Sequence, residues 1–249
     1  MMKRLLSIAL SLLANGLQAG DIHEQPMAFS SVRLGSVIPP PWTVNILPNV
    51  ERPTQFDFVH DESQATVLRA VSESAAATLT HKLHVDTAMS PWLAWRWKVS
   101  HVLDTADLGE KERDDYAARI YVLFDYPVEK LPLAERVKIN LGRSLYGQEL
   151  PAAALCYVWD NRHLVGVSAW SAYTDRVRMI VVESGPQHAG TWRLEQRDLA
   201  ADFRAAFGEE APPVVGIALA ADTDNTGEKV TAWFGDIGFL PAPQANRTP

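Results

Sequence analysis

Apolar and polar residues alternate with a period of two along most of the chain, the mark of strands that bury one face. Over 93–99, Leu93, Trp95, Trp97 and Val99 point one way while Arg96 and Lys98 point the other. Over 115–125, Tyr116, Ala118, Ile120, Val122 and Phe124 form the apolar set and Asp115, Arg119, Tyr121 and Asp125 the opposite face. The same rhythm, bounded by Pro, Gly, Asn and Asp, predicts strands over 55–59, 66–71, 76–85, 154–159, 177–183, 214–221 and 231–239. Trp95, Trp97 and Trp233 fall on the apolar sides of their strands and read as core. Segment 154–159 is apolar on both faces, so its orientation stays open.

Two segments break the rhythm. Pro132, then Leu133, Val137, Leu141 and Leu145 at four-residue spacing, with Gly147 beyond them, predict a helix over 132–147. Asp198 as N-cap, Leu199, Phe203 and Phe207 on one face and Gly208 at the end predict a shorter one. Many strands, two helices in connections and no βαβ alternation give an all-β fold: an antiparallel β-sandwich of jelly-roll type. The expected organisation is a signal peptide over 1–19, an extended segment over 20–41 stiffened by Pro39, Pro40 and Pro41, one sandwich domain over 42–240 and a flexible tail over 241–249.

The leader rests on three zones: Lys3 and Arg4, the apolar run Leu5 to Leu13, and the small-residue site Leu17-Gln-Ala19, with cleavage expected after Ala19. Nothing in the chain approaches the roughly 20 apolar residues of a membrane span, so the product is expected in the periplasm or secreted. The formal net charge is −7, and cleavage would remove two of the basic residues. This balance argues against nucleic acid as a partner. Cys156 is the single cysteine, which leaves no internal disulfide and reads as a buried thiol.

Two constellations carry candidate chemistry. The loop Asp222-Thr-Asp-Asn-Thr-Gly-Glu228 offers oxygen ligands, and Asp222, Asp224 and Asn225 could hold Ca²⁺. Gly227 is sixth from Asp222, but Trp233 stands where an EF-hand loop has its bidentate Glu. An Asx-rich hairpin turn and a ligand-contacting loop are the competing readings. The second constellation is the charged face of Asp115, Arg119, Tyr121 and Asp125, joined by Arg96 and Lys98 if the two strands share a sheet. Carboxylates, guanidinium groups and amides suit the hydroxyls of a saccharide; a solvated face with cross-strand ion pairs explains the same residues. Gly-x-Ser-x-Gly, His-Glu-x-x-His, Walker and Gly-x-Gly-x-x-Gly motifs are absent.

Five strings in order, Ser90-Pro-Trp-Leu-Ala-Trp-Arg-Trp-Lys-Val99, Asp114-Asp-Tyr-Ala-Ala-Arg-Ile-Tyr-Val122, Leu155-Cys-Tyr-Val-Trp159, Arg178-Met-Ile-Val-Val-Glu-Ser-Gly185 and Asp222-Thr-Asp-Asn-Thr-Gly227 with Phe234-Gly-Asp-Ile237, resemble the bacterial domain of unknown function 3047 (DUF3047). That resemblance implies one bacterial exported domain and no assigned chemistry. A looser, fold-level likeness is to carbohydrate-binding jelly rolls, through the late strand with Gly235-Asp-Ile237. The leading expectation is an exported sandwich that binds a saccharide or another polar envelope ligand through Arg96, Asp115, Arg119, Tyr121, Asp222, Asp224, Asn225 and Thr226. The alternatives are a polysaccharide hydrolase or lyase, with acid and base among Asp115, Tyr121, Tyr157 and Glu183, and a structural envelope protein.

Overall fold

The computed structural model of the protein describes residues 25–46, 50–137, 139 and 152–242. The expected leader over 1–19 lies outside them. Twelve strands build two packed sheets, one ordered β1-β4-β11-β6-β7-β9-β8 and the other β10-β5-β12-β3-β2. The strands are β1 Trp42–Asn45, β2 Gln55–His60, β3 Thr66–Glu73, β4 Thr78–Val85, β5 Trp92–Val99, β6 Tyr116–Phe124, β7 Ala154–Asp160, β8 Ser168–Ser171, β9 Thr174–Ser184, β10 Arg193–Asp198, β11 Val214–Asp222 and β12 Lys229–Leu240. The fold is the expected β-sandwich with one departure. β9 runs parallel to β7, because β8 lies outside it and forces the chain to turn back between the two.

The alternating apolar residues meet between the sheets. Trp95 stacks on Tyr157 at 5.3 Å between ring centroids, Trp97 lies 5.9 Å from Trp159, and all four rings are buried. These contacts set β5 across from β7 and orient 154–159: Leu155, Tyr157 and Trp159 enter the main core. Cys156 and Val158 enter a smaller cluster on the outer face of the larger sheet, with Met179, Val181, Leu108 and Tyr116.

Two bulges override simple alternation. Ala220 pairs with Arg119 and Asp222 with Tyr116, so three steps on β6 match two on β11. Ala117 and Ala118 both turn inward, and Tyr116, expected in the main core, moves to the outer face. In β12 the register shifts between Phe234 and Ile237. Phe234 is therefore core while Trp233, also expected inside, is half-buried on the outer face under Lys98.

Asp198 caps the helix Leu199–Phe207 by accepting from the Ala201 N–H at 3.0 Å, and Gly208 ends it at φ 73°, as the sequence predicts. Of the helix expected over 132–147, residues 133–137 are helical, with Leu133 and Val137 exposed, while 138 and 140–151 lie outside the described residues. The segment before β1 packs on the sandwich too. Phe29 is buried against Trp42 and Phe58. The Gln25 side chain exchanges two 2.8 Å hydrogen bonds with the Phe239 backbone, and the Met27 N–H donates to His81 Nε2 at 3.1 Å. No helix among the described residues is long and apolar enough to cross a membrane.

Candidate functional site

The bulge in β6 gathers charge at one end of the larger sheet. It puts Tyr116, Arg119 and Tyr121 on one outer face, with the Arg119 Cζ 5.2 Å and 5.3 Å from the two ring centroids. Two rings thus flank the guanidinium, whose planar shape stacks on them in a way an ammonium does not. Its Nη2 donates to Asp222 Oδ2 at the end of β11, and its Nη1 lies 3.6 Å from Asp114. The Tyr116 N–H donates to the other oxygen of Asp222 at 3.3 Å.

Asp115 reaches the β11–β12 loop from the opposite side. It accepts from the Thr226 N–H at 2.6 Å and from the Asn225 amide at 3.2 Å. Gly227 takes φ 74°, the turn geometry the sequence suggests, and its N–H donates to Thr223 O at 2.9 Å. Asp115 and Asp222 are buried, whereas Asp224 and Asn225 face solvent, and the charges of Asp114, Asp224 and Asp115 reach the exposed Tyr173 phenol.

One oxygen from each of Asp115, Asp222 and Asp224 lies within 4.8 Å of the others. Of the expected cation ligands, Asp222 and Asp224 are therefore neighbours, while the Asn225 amide points its donor at Asp115, which takes Asn225's place in the trio. Four carboxylates, counting Asp114, face one guanidinium. Burial pushes Asp222 well above the usual carboxylate range, only partly opposed by Arg119. Burial likewise raises Asp114, and burial with the charge of Asp115 raises Asp224. Burial disfavours the charge on Arg119, but Asp222, Tyr121, Asp114 and Cys156 together more than restore it. Asp114 Oδ1, Tyr116 OH and Arg119 Nε have no hydrogen-bond partner among the described residues. One acceptor, one donor and one hydroxyl that can do either are thus left over in the cluster.

The expected residues Asp115, Arg119, Tyr121, Asp222, Asp224, Asn225 and Thr226 thus come together, and Arg96 and Lys98 do not. β5 belongs to the smaller sheet, since alternation assigns a side chain to a face and says nothing of which sheet the strand joins. Arg96 pairs with Asp61 at 2.8 Å and lies 4.3 Å over the Trp192 ring; Lys98 pairs with Glu62. Burial opposes ionisation of Asp61, but Ser63, Arg96 and two backbone N–H groups together hold it at about 2. The four groups considered for acid–base work are also apart. Tyr121 lies on the outer side of the larger sheet, and Asp115 stands at its end against the β11–β12 loop. Tyr157 is buried in the core with its O–H on Asp202 at 2.8 Å, and Glu183 is held by Arg193 at 2.6 Å. Asp114 and Tyr173 were not singled out from sequence; the Asp114-Asp115 pair was the available signal for the first, and only the fold brings Tyr173 alongside.

No curated protein matches the chain. Among solved structures, the beta-1,2-glucanase of Parabacteroides distasonis is similar at 12% identity and TM-score 0.39, over 81% of this chain and 23% of that one. The family 30 carbohydrate-binding module of the cellulosomal cellulase CEL9D-CEL44B of Clostridium thermocellum is similar at 12% identity and TM-score 0.35, over 80% and 87%. An exo-beta-agarase gives 10% identity and TM-score 0.33, over 90% and 26%. This chain spans about a quarter of the glucanase and the agarase. The family described as protein of unknown function (DUF3047) matches over residues 40–238, which takes in β1 to β11, most of β12 and every residue of the Arg119 cluster, and the chain belongs to that family.

Proposed function

We propose that the protein is an exported, periplasmic binding domain for a saccharide or another hydroxyl-rich envelope ligand, held at the rim of the Arg119 cluster by Asp224, Asn225 and Tyr173. The observation that carries this reading is the gathering of Asp114, Asp115, Asp222 and Asp224 around Arg119, with the Asp224 carboxylate and the Asn225 side chain exposed at its rim. Saccharide hydroxyls pair with an exposed carboxylate and amide such as those of Asp224 and Asn225, and the exposed Tyr173 ring offers a face for a pyranose to stack on. The buried members hold the loop; the exposed members meet the ligand. A saccharide panel screened by thermal shift and calorimetry tests it. Asp224→Ala should abolish the response to neutral saccharides while leaving the melting temperature within about 2 °C; a neutral-saccharide response that survives this change sinks the assignment. Export is checked by fractionation and by a mature N-terminus at Gly20.

The 4.8 Å carboxylate trio also favours a second reading, a hard cation such as Ca²⁺ on Asp115, Asp222 and Asp224. Addition of Ca²⁺ after chelation should then raise the melting temperature, and Asp224→Ala should remove the rise. An unchanged melting temperature in both leaves the loop as a turn.

A further inference from the structure

The larger sheet overhangs the smaller one. β10 is the last strand of the smaller sheet on that side, and its Arg193 reaches Glu183 of β9, so β8 extends past it. The helix Leu199–Phe207 flanks this ledge through Phe207. On its inward side, Arg176 and Arg178 stand two apart on β9 and share a face with Trp170, which pairs with Arg178 across the sheet. The groups form a ladder. The Arg176 Cζ lies 4.8 Å from the Tyr126 ring and 5.0 Å from Phe207, Phe207 meets Trp170 at 5.4 Å, and Arg178 lies 5.1 Å from Trp170.

The charge on this ladder is not neutralised in place, unlike that of most arginines packed on the sandwich. Arg69, Arg96, Arg119, Arg193 and Arg197 each hold a carboxylate. Among the described residues, Arg176 and Arg178 hold none. Arg176 Nε donates to Ala152 O at 2.7 Å, its Nη2 is buried without a hydrogen-bond partner, and Arg178 donates to Ser168 Oγ at 2.8 Å. The nearby Glu209 is taken by Tyr126 at 2.8 Å and by Lys130. Unpaired guanidinium groups beside half-buried rings, in an acid-rich chain, match a ligand that carries a carboxylate on a ring. The net charge of −7 disfavours dense polyanions and tolerates one carboxylate per sugar.

We propose that the ledge formed by Trp170, Arg176 and Arg178 binds a carboxylate-bearing saccharide. It is a separate site from the Arg119 cluster, and the two stand or fall independently. The test titrates the folded full chain with a galacturonic-acid trimer and a neutral glucose trimer by calorimetry. The acidic trimer should bind at least tenfold tighter, and Arg178→Ala should remove that preference, as should Trp170→Phe in part. Arg178→Lys, which keeps the charge and loses the planar fork, should fall between. Asp224→Ala should leave acidic-trimer binding unchanged. Equal affinity for the two trimers, no binding by the folded chain, or competition by acetate at the same concentration overturns the proposal. Circular dichroism of each variant separates loss of binding from loss of fold; should Arg178→Ala unfold, Trp170→Phe and Arg178→Lys carry the test.

Discussion

Replacing Arg119 by Met would leave Asp222 and Asp114 buried without their cation. Breaking a buried pair in this way costs about 3–5 kcal/mol, so urea unfolding of Arg119→Met should show a loss in that range. A loss under 1 kcal/mol would mean that water already screens the cluster. Glu195 is a different case. It faces inward from β10 and accepts the Trp97 indole N–H at 3.3 Å. Burial, assisted by the charge of Glu183 and against Trp97, Arg193 and Arg197, raises its pKa from 4.5 to about 7. A raised pKa stabilises the fold fully below the unfolded value of 4.5, and that contribution is lost as pH climbs through about 7. The melting temperature should therefore fall between pH 5 and pH 8, by the equivalent of about 1–2 kcal/mol once partial exposure is discounted. Glu195→Gln should flatten the slope and leave the variant more stable than the parent at pH 8. At this scale the sequence revealed the Asp115, Arg119 and Asp222 site because polar residues interrupt apolar strands there. It did not reveal Arg176 or Arg178, whose neighbours come from distant segments.

β10 shows why some elements escape pattern reading. Its inward residues are Arg193, Glu195 and Arg197, and its outward Leu194 is 80% exposed, the reverse of a usual edge strand. The inward charges find partners in Glu183, Trp97 and Asp202, and a charged inner edge discourages pairing with another chain. Apolar alternation cannot find such a strand. β1 and β8, four residues each, are too short to register. The bulges at Tyr116 and Trp233 misled for another reason: one extra residue flips every later side chain, and nothing local marks the flip. The helix after β10 was legible because Asp198 and Gly208 mark its two ends. Asp198→Ala should cost about 1 kcal/mol, read as a lower midpoint in thermal unfolding with Arg197–Asp202 intact; no change would mean that packing of Leu199 and Phe203 alone sets the helix.

On the scale of the whole molecule, the segment before β1 ties the two sheets together. Gln25 holds β12 of the smaller sheet, Met27 holds β4 of the larger, and Phe29 fills the space between Trp42 and Phe58. Phe29→Ala should cost about 3–5 kcal/mol, measured by chemical unfolding. A chain begun at residue 40, where the family match starts, should unfold at lower denaturant than one begun at residue 20; equal midpoints would show the strap to be dispensable. β7, between β6 and β9, has every residue buried, and Cys156 sits in it beside Met179 and Val181. Burial raises the Cys156 thiol, so little nucleophilic thiolate forms in the native state. As the chain's single sulfhydryl, it is a built-in clock for opening of the outer face: a maleimide added to the native protein would label it only as fast as the cluster of Leu108, Tyr116, Met179 and Val181 comes apart, and the labelling rate would time that event.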